Sequence, residues 1–427
     1  MFQTIKNAWK IPDLRRRLIF TLILLVVFRL GSCIPVPMID AAAMQQIFAG
    51  ENSLLGFVDI ISGGAFSQAT IFAMSISPYI NASIIMQLLC VAIPALERMQ
   101  KEGEDGRKKI AQIQRYGTVA LALIQAIGLY TLLAWQFHAV QNPGFLTAAI
   151  IVVTFTAGTA FLMWLGEQIT DKGVGNGISL IIFAGIVSRV PSMARSLYES
   201  VMNGNIAIWM LIIILVFALA VIGVVVMMNE AERRIPVQYA KRVVGRKMYG
   251  GQSTHIPIKV ASAGVIPIIF AMSIMSFPGT IASFFGVQPG APGFWGGFLK
   301  VFSNDSVIYA ILYFLLIIFF TYFYTAIQFN PIEMANNMKK NGGFVPGIRP
   351  GRPTVEYLTK ILNYIIFIGA CGLIVIQVVP IFFNGWLGAS VSFGGTSLII
   401  IVSVVLETMK QIESQMLVRN YKGFLNS

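Results

Sequence analysis

Reactive and charged side chains are scarce in this sequence, and each shortage removes a class of function. Among its 427 residues only two are histidines, His138 and His255, isolated near the ends of apolar stretches where they read as surface residues and not as metal ligands. Cys33, Cys90 and Cys371 are scattered singly in or beside apolar stretches, without metal-ligand spacing or a pairing pattern, and read as packing residues. No phosphate-binding loop ending in Gly-Lys-Ser or Gly-Lys-Thr occurs, nor a His-Glu-x-x-His zinc-protease helix. The run Gly173, Val174, Gly175, Asn176, Gly177 lacks the continuation of a dinucleotide site and reads as a turn into an apolar helix. An enzyme is therefore not expected, nor a metal, nor a cofactor. Charge is the largest shortage: 11 % of residues are charged against 56 % hydrophobic, which excludes a soluble domain and points to the membrane class.

A helix needs roughly 20 apolar residues to cross about 30 Å of hydrocarbon. Ten such stretches lie near residues 18–37, 71–94, 112–135, 146–166, 178–198, 206–228, 259–283, 307–328, 361–383 and 395–413. Basic residues orient them, because Lys and Arg are retained in cytoplasmic loops. With Met1 on the cytoplasmic side, only Arg29, Arg189, Arg195 and Lys300 of the 31 lysines and arginines fall at or beyond the far face. Both termini are thus expected in the cytoplasm, as a segment at 1–17 and a tail at 414–427. The net charge of +13 is mostly this orientation signal and needs no nucleic-acid partner to explain it. Arg15, Arg16 and Arg17 ahead of an apolar run look like a secretory signal, but the length of the run and the spans that follow suit a retained first helix.

Five stretches precede the polar turn at Asn203, Gly204 and Asn205 and five follow it, so a repeat of one half in the other must be inverted. The expected fold is an all-α membrane protein of ten transmembrane helices in two five-helix halves, 18–200 and 201–413. Proline and polar residues interrupt equivalent members of the two halves. The second stretch carries Ser75, Ser77, Pro78, Asn81, Ser83 and Gln87; the seventh carries Ser262, Pro267, Ser273, Ser276 and Pro278. Broken helices at matching places mark a transport path where the halves meet. Ile76, Ile80, Ser83 and Gln87 follow helical spacing and share one face, fit to line a seam. Packing between permanently closed helices gives the same pattern.

Connections add two features. Residues 38–70 contain Leu54, Leu55, Phe57, Val58, Ile60 and Ile61, broken by Ser62, Gly63 and Gly64. That run is too short to span, and composition suits equally a re-entrant segment inside the protein and an interfacial helix. The cytoplasmic loops 229–258 and 329–360 are long and basic. The first carries Arg233, Arg234, Lys241, Arg242, Arg246 and Lys247; in the second, Pro346, Gly347, Pro350, Gly351 and Pro353 fix a turn that presents Arg349 and Arg352. Retention charge accounts for such loops, and so does docking of a cytoplasmic partner, the better fit to their size.

Span interiors hold almost no ionisable groups; Arg29, Arg115, Glu167, Arg189, Arg195 and Glu407 sit near span ends. Ion-coupled carriers place carboxylates or histidines at mid-membrane. A secondary transporter of five-plus-five inverted repeats, the competing reading, is disfavoured on this ground, and the energy for directed movement is expected from outside the chain.

Several motifs, in order and from end to end, carry a family resemblance. They are Ile34, Pro35, Val36, Pro37; Ser62, Gly63, Gly64, Ala65; Met163 to Thr170 with Gly175, Asn176, Gly177, Ile178, Ser179; Gln252, Ser253, Thr254, His255, Ile256, Pro257; Phe344 to Gly351; and Phe393 to Ser397. Together they resemble the SecY family, pore subunits of the bacterial protein-translocation channel. The resemblance implies two halves around an hourglass pore that opens sideways between spans two and seven, passing unfolded secretory proteins and releasing transmembrane segments into lipid. It implies an apolar pore ring at Ile76, Ile80, Ile178, Ile182, Ile269 and Ile400. It also implies a plug at about 54–66, including Phe57, Ile60, Ile61, Gly63 and Gly64, and a lateral gate with Ser83, Gln87, Pro267 and Ser273. Implied partners are the SecE and SecG membrane subunits, the SecA ATPase, the ribosome, signal sequences and unfolded preproteins, in a bacterial cell membrane. Cytoplasmic docking falls to Lys241, Arg242, Arg246, Lys247, Arg349 and Arg352. Ile80 and Ile269 lie nine or ten residues into their stretches, roughly 15 Å deep at 1.5 Å per residue. An apolar waist at that depth strips an ion of its water without compensation. Ile178 and Ile182 fall within two turns of the expected cytoplasmic boundary, so either the fifth span starts deep in a funnel or those two lie outside the ring.

Overall fold

The computed structural model describes residues 2–40, 62–136, 138–204, 208–239, 242–244, 247–249, 253–261, 264–284, 294–302, 306–387 and 395–425. Its helices are α1 (Phe2–Lys10), α2 (Pro12–Gly31), α3 (Ser77–Ala92), α4 (Pro94–Lys101), α5 (Glu104–Thr131), α6 (Phe145–Lys172), α7 (Gly177–Met202), α8 (Ile208–Glu230), α9 (Ile266–Phe284), α10 (Phe294–Val301), α11 (Val307–Gln328), α12 (Pro331–Lys340), α13 (Arg352–Leu387) and α14 (Gly395–Leu425). Each of the ten apolar stretches holds one of them. Among the described residues, Glu104–Trp135, Phe145–Lys172, Trp209–Glu230, Ile308–Lys340 and Arg352–Gln377 are long and apolar enough to cross a membrane, and α3 is an apolar helix that α4 leaves at a sharp bend. Large apolar side chains stay exposed along these helices, as Ile212, Leu215, Val216 and Leu219 do on α8, which suits a surface bathed by lipid.

The two interrupted stretches start later than their hydropathy indicates. α3 begins at Ser77 and α9 at Ile266, so the helical parts are 77–92 and 266–284 where 71–94 and 259–283 were expected. Proline is the reason. Pro78 and Pro267 each stand second in their helix, where a missing N–H costs nothing and a fixed φ favours the first turn. Pro94 repeats the device one helix later, and α3 and α4 meet at a bend of 100°. Outside the bend Glu97 takes a hydrogen bond of 2.6 Å from Lys101, whose bond and charge hold the carboxyl below its ordinary range.

The long basic loop after α8 carries strands, a departure from the expected all-α fold. Strands β1 (Glu232–Tyr239) and β4 (Ser253–Lys259) pair antiparallel from Glu232 opposite Lys259 to Gln238 opposite Ser253, and β5 (Gly343–Phe344) adds to the other edge of β1. Strands β2 (Arg242–Val244) and β3 (Lys247–Tyr249) form a separate hairpin. Along β1 the buried Ile235 and Val237 alternate with exposed Arg234, Pro236 and Gln238, the period-two pattern of a sheet with one face covered. The cover is α12 and the first turns of α13: Ile235, Val237 and Ile258 pack with Ala335, Met338, Val345, Leu358 and Leu362.

By backbone contacts the chain divides into two units. One comprises Met1–Glu199, Ser273–Tyr309 and Val404–Ser427; the other comprises Ser200–Met272 and Ala310–Ser403. Within the first, Ala8 and Leu14 of the N-terminal helices pack on Val174 and on Met409 and Ile412 of α14.

Candidate functional site

Residues 62–76 run as successive turns, yet Ser62, Ala65, Phe66, Ala69, Thr70, Phe72, Ala73, Met74, Ser75 and Ile76 are all buried. Non-helical backbone at membrane depth must be enclosed by protein, since each unpaired N–H or C=O costs several kcal/mol in hydrocarbon. This segment satisfies the rule internally. Ser62 Oγ accepts the Phe66 N–H at 3.1 Å, the Ala65 carbonyl accepts both the backbone and side chain of Thr70, and Ile34 and Ala69 exchange bonds with Ile71 and Val36. The apolar run at 54–61, for which composition allowed both a re-entrant segment and an interfacial helix, lies outside the described residues; the segment 62–76 that follows it is enclosed.

Glycines make the fit. The Phe72 ring fills the space where a side chain on Gly31 would stand, and a methyl group on Gly158 would collide with the Ile71 carbonyl. Phe72 also stacks between Phe28 of α2, at 6.1 Å, and Phe161 of α6, at 5.9 Å. At the other end of the segment Gly63 and Gly64 adopt φ of +68° and +88°, and Gly63 lies so close to Gly185 of α7 that an added Cβ would be 2.8 Å from its Cα. Arg29 Nη1 donates to the Gly63 carbonyl at 3.3 Å and to Ser188 Oγ at 2.9 Å.

The glycine-rich run 173–177 forms the turn expected of it. Gly175 has φ +89°, Asn176 Oδ1 accepts the N–H groups of Ile178 and Ser179 as the N-cap of α7, and Thr170 Oγ1 accepts the Gly177 N–H at 2.9 Å. A side chain on Gly177 would run into the Gly166 carbonyl, so the turn draws α6 and α7 together. Thr21 of α2 ties the joint down: its hydroxyl accepts the Val174 N–H at 3.1 Å and donates to the Arg17 carbonyl. Nearby, Arg115 of α5 and Glu167 of α6 form an ion pair of 2.7 Å.

The expected ring residues fall as follows. Ile76 is fully buried just ahead of α3, and Ile80 is half-buried on α3. Ile182 is buried in the second turn of α7. Ile178, in its first turn, sets its Cδ1 where a Gly166 side chain would be, so part of it serves helix packing. Ile269 is half-buried on α9 and Ile400 buried on α14. Of the gate residues, Gln87 Nε2 donates to Ser83 Oγ at 3.4 Å along one face of α3, Pro267 is buried at the start of α9, and the Ser273 carbonyl accepts the Ser276 hydroxyl at 2.9 Å. Phe57, Ile60 and Ile61 of the expected plug lie outside the described residues, as do Lys241 and Arg246 of the docking loop. Arg242 and Lys247 are described as strand backbone only.

The second basic loop is a fixed platform. Gly347 and Gly351 take φ of +82° and +106°, Thr354 Oγ1 donates to the Arg349 carbonyl at 2.9 Å, and Val345 anchors the base at 2 % exposure. Arg352 is exposed and paired with Glu356 at 3.1 Å. Arg349 is exposed, and among the described residues nothing engages its guanidinium. Among the described residues no three His, Cys, Asp or Glu side chains gather as metal ligands would.

Sequence reasoning missed Arg29 and Ser188 as partners of Gly63, and Thr21 as partner of Val174. A signal existed for one of them: Arg29 is a cation at the end of an apolar helix with no carboxylate near it in sequence.

Comparison with known structures first defines the class. The fold is shared with a SecY protein whose plug domain stabilises the closed state of the translocation channel and maintains a membrane seal, at TM-score 0.66 and 18 % identity over 94 % of this chain and 92 % of that one. It is shared with Sec61 in the canine ribosome–channel complex from the endoplasmic reticulum, at TM-score 0.64 and 18 % identity over the same shares. The fold is thus the multi-spanning, helical membrane fold that those proteins have. The SecY family model matches residues 70–409, and the protein translocase subunit SecY of Halalkalibacterium halodurans is 48 % identical over 434 residues, covering the whole of both chains. The chain belongs to the SecY family.

Proposed function

We propose that this SecY-family chain is the channel subunit of a protein translocase in a bacterial cell membrane, with both termini in the cytoplasm. It passes unfolded secretory proteins across the bilayer and releases apolar segments sideways between the second and seventh spans. The observation that carries this reading is the buried, non-helical segment 62–76 leading straight into the proline-started helix α3. Enclosed irregular backbone beside a broken helix belongs to a pathway that opens, not to a packed bundle.

In this reading Ile76, Ile80, Ile178, Ile182, Ile269 and Ile400 form an apolar waist, with the plug at about 54–66 on its outer side. Support for Ile178 is the weakest, because it also packs on Gly166. Ser83 and Gln87 with Pro267 and Ser273 line the seam. Weak polar contacts there yield to an arriving signal helix, which gains roughly 0.8 kcal/mol per buried CH₂. Force comes from cytoplasmic partners, the SecA ATPase or the ribosome, at the platform around Arg349 and Arg352 and at the loop carrying Lys241, Arg242, Arg246 and Lys247. SecE and SecG complete the assembly in the membrane.

Reconstitution in vesicles tests the reading against a solute carrier. Vesicles holding the chain should protect an unfolded preprotein from external protease when SecA and ATP are supplied, and should accumulate no small solute. Solute uptake without preprotein passage would reverse the conclusion.

A further inference from the structure

We propose that Arg29 and Ser188 form a catch that holds the buried segment 62–76 shut against α7, and that the channel opens only when this catch is released. The inference rests on the channel reading above and deepens it. Three observations carry it. Arg29 reaches from α2 with one nitrogen to two acceptors, the Gly63 carbonyl at 3.3 Å and Ser188 Oγ at 2.9 Å, so a single guanidinium joins α2, the segment and α7. Ser188 is oriented for this, since its hydroxyl faces the Gly185 carbonyl at 2.6 Å and, at the longer distance of 3.5 Å, the Gly63 carbonyl, which leaves an oxygen lone pair to accept from Arg29. The segment meets α7 at Gly185, against which Gly63 is packed too closely for any side chain.

The position on α7 explains why such a link reports on the pore. Gly185 follows Ile178 and Ile182 at spacings of four and three, so it continues the helix face that carries both proposed waist residues. Displacing that face pulls on the Gly63 contact. The bonds bear this use: a hydrogen bond from a charged donor in a partly buried site is strong enough to bias two states, yet it ends on neutral acceptors that water can replace. An ion pair with a carboxylate would be harder to undo. By contrast the far end of the segment is fixed by Phe72 between Phe28 and Phe161 and by backbone bonds from Ile71 N–H to the Ile34 carbonyl and from Val36 N–H to the Ala69 carbonyl, with no side-chain cation among them. The structure thus pairs a permanent anchor at Phe72 with a releasable one at Gly63.

The full chain, purified with its bound membrane subunits, is placed in planar lipid bilayers and its ion conductance recorded without a protein substrate. Arg29→Gln, Ser188→Ala and the double variant are compared with the parent, and preprotein translocation is measured on the same preparations. Each single variant should raise the open fraction about tenfold, the size expected when one charge-assisted hydrogen bond is lost. The double variant should add little to Arg29→Gln, because the two residues act as one link. Parent-like conductance in all variants, with translocation intact, would overturn the catch and leave the channel reading standing. So would full additivity, which assigns the residues independent structural roles. If Arg29→Gln fails to insert, Ser188→Ala alone decides, a rise supporting the catch and none refuting it. Failure of the parent itself to translocate would remove the channel reading and the catch with it.

Discussion

Thr21 shows how much one hydroxyl can organise in a chain with so few polar groups. Its oxygen accepts the Val174 N–H, a buried donor at the turn between α6 and α7, 153 residues away in sequence. Valine in its place keeps the shape but leaves that N–H unpaired where water does not reach, at a cost of about 1–3 kcal/mol. Thr21→Val is therefore expected to lower the thermal unfolding midpoint of the purified chain, and Thr21→Ser to leave it nearly unchanged. Equal losses in the two variants would show that the methyl group, not the hydrogen bond, matters. At this scale the sequence was half legible. Glycines at 173, 175 and 177 announced a turn, because positive φ and close helix approach need them. The partner at Thr21 was not readable, since nothing local ties a threonine in the first span to a turn after the fourth.

Single elements were legible where one physical signal dominated and misleading where two competed. Hydropathy located a helix in each of the ten stretches among the described residues. It misplaced the starts of α3 and α9, because apolar residues in turns, such as Phe72, Ala73 and Met74 or Val260 and Ala261, extend the run ahead of the point where Pro78 and Pro267 begin a helix. In 229–258 the clustered cations mask the alternation of buried Ile235 and Val237 with exposed Arg234, Pro236 and Gln238 that marks β1. The resulting layer of β1, β4, α12 and the base of α13 gives the tip at 345–351 a rigid foundation, so its arginines are presented without an ordering cost. Arg349, which no other described residue engages at that tip, is the residue proposed to meet a cytoplasmic partner. Reversing an interface charge costs on the order of several kcal/mol. Arg349→Glu is thus expected to slow ATP-driven export about tenfold or more while the channel inserts normally, checked by translocation rate and by the amount of chain in the membrane. Normal export in that variant would release the platform from its proposed role.

For the molecule as a whole, three lines of argument converge: an apolar composition that demands a membrane, broken helices at matching places of two five-span halves, and an enclosed irregular segment beside one of them. Family membership accords with all three. The ten apolar stretches, each holding a helix, and the proline-started pair were open to reading because bilayer thickness and proline chemistry act locally on sequence. The buried course of 62–76 was not, because enclosure depends on the close contacts at Gly31, Gly63 and Gly158, which exist only once helices far apart in sequence are packed around it. The central claim is that the second and seventh spans separate during transport. Its most direct measurement places one cysteine on α3 and one on α9 in a chain freed of Cys33, Cys90 and Cys371, and follows preprotein translocation before and after oxidation. Disulfide formation should stop translocation and reduction should restore it. Undiminished translocation with the cross-link fully formed would contradict the account.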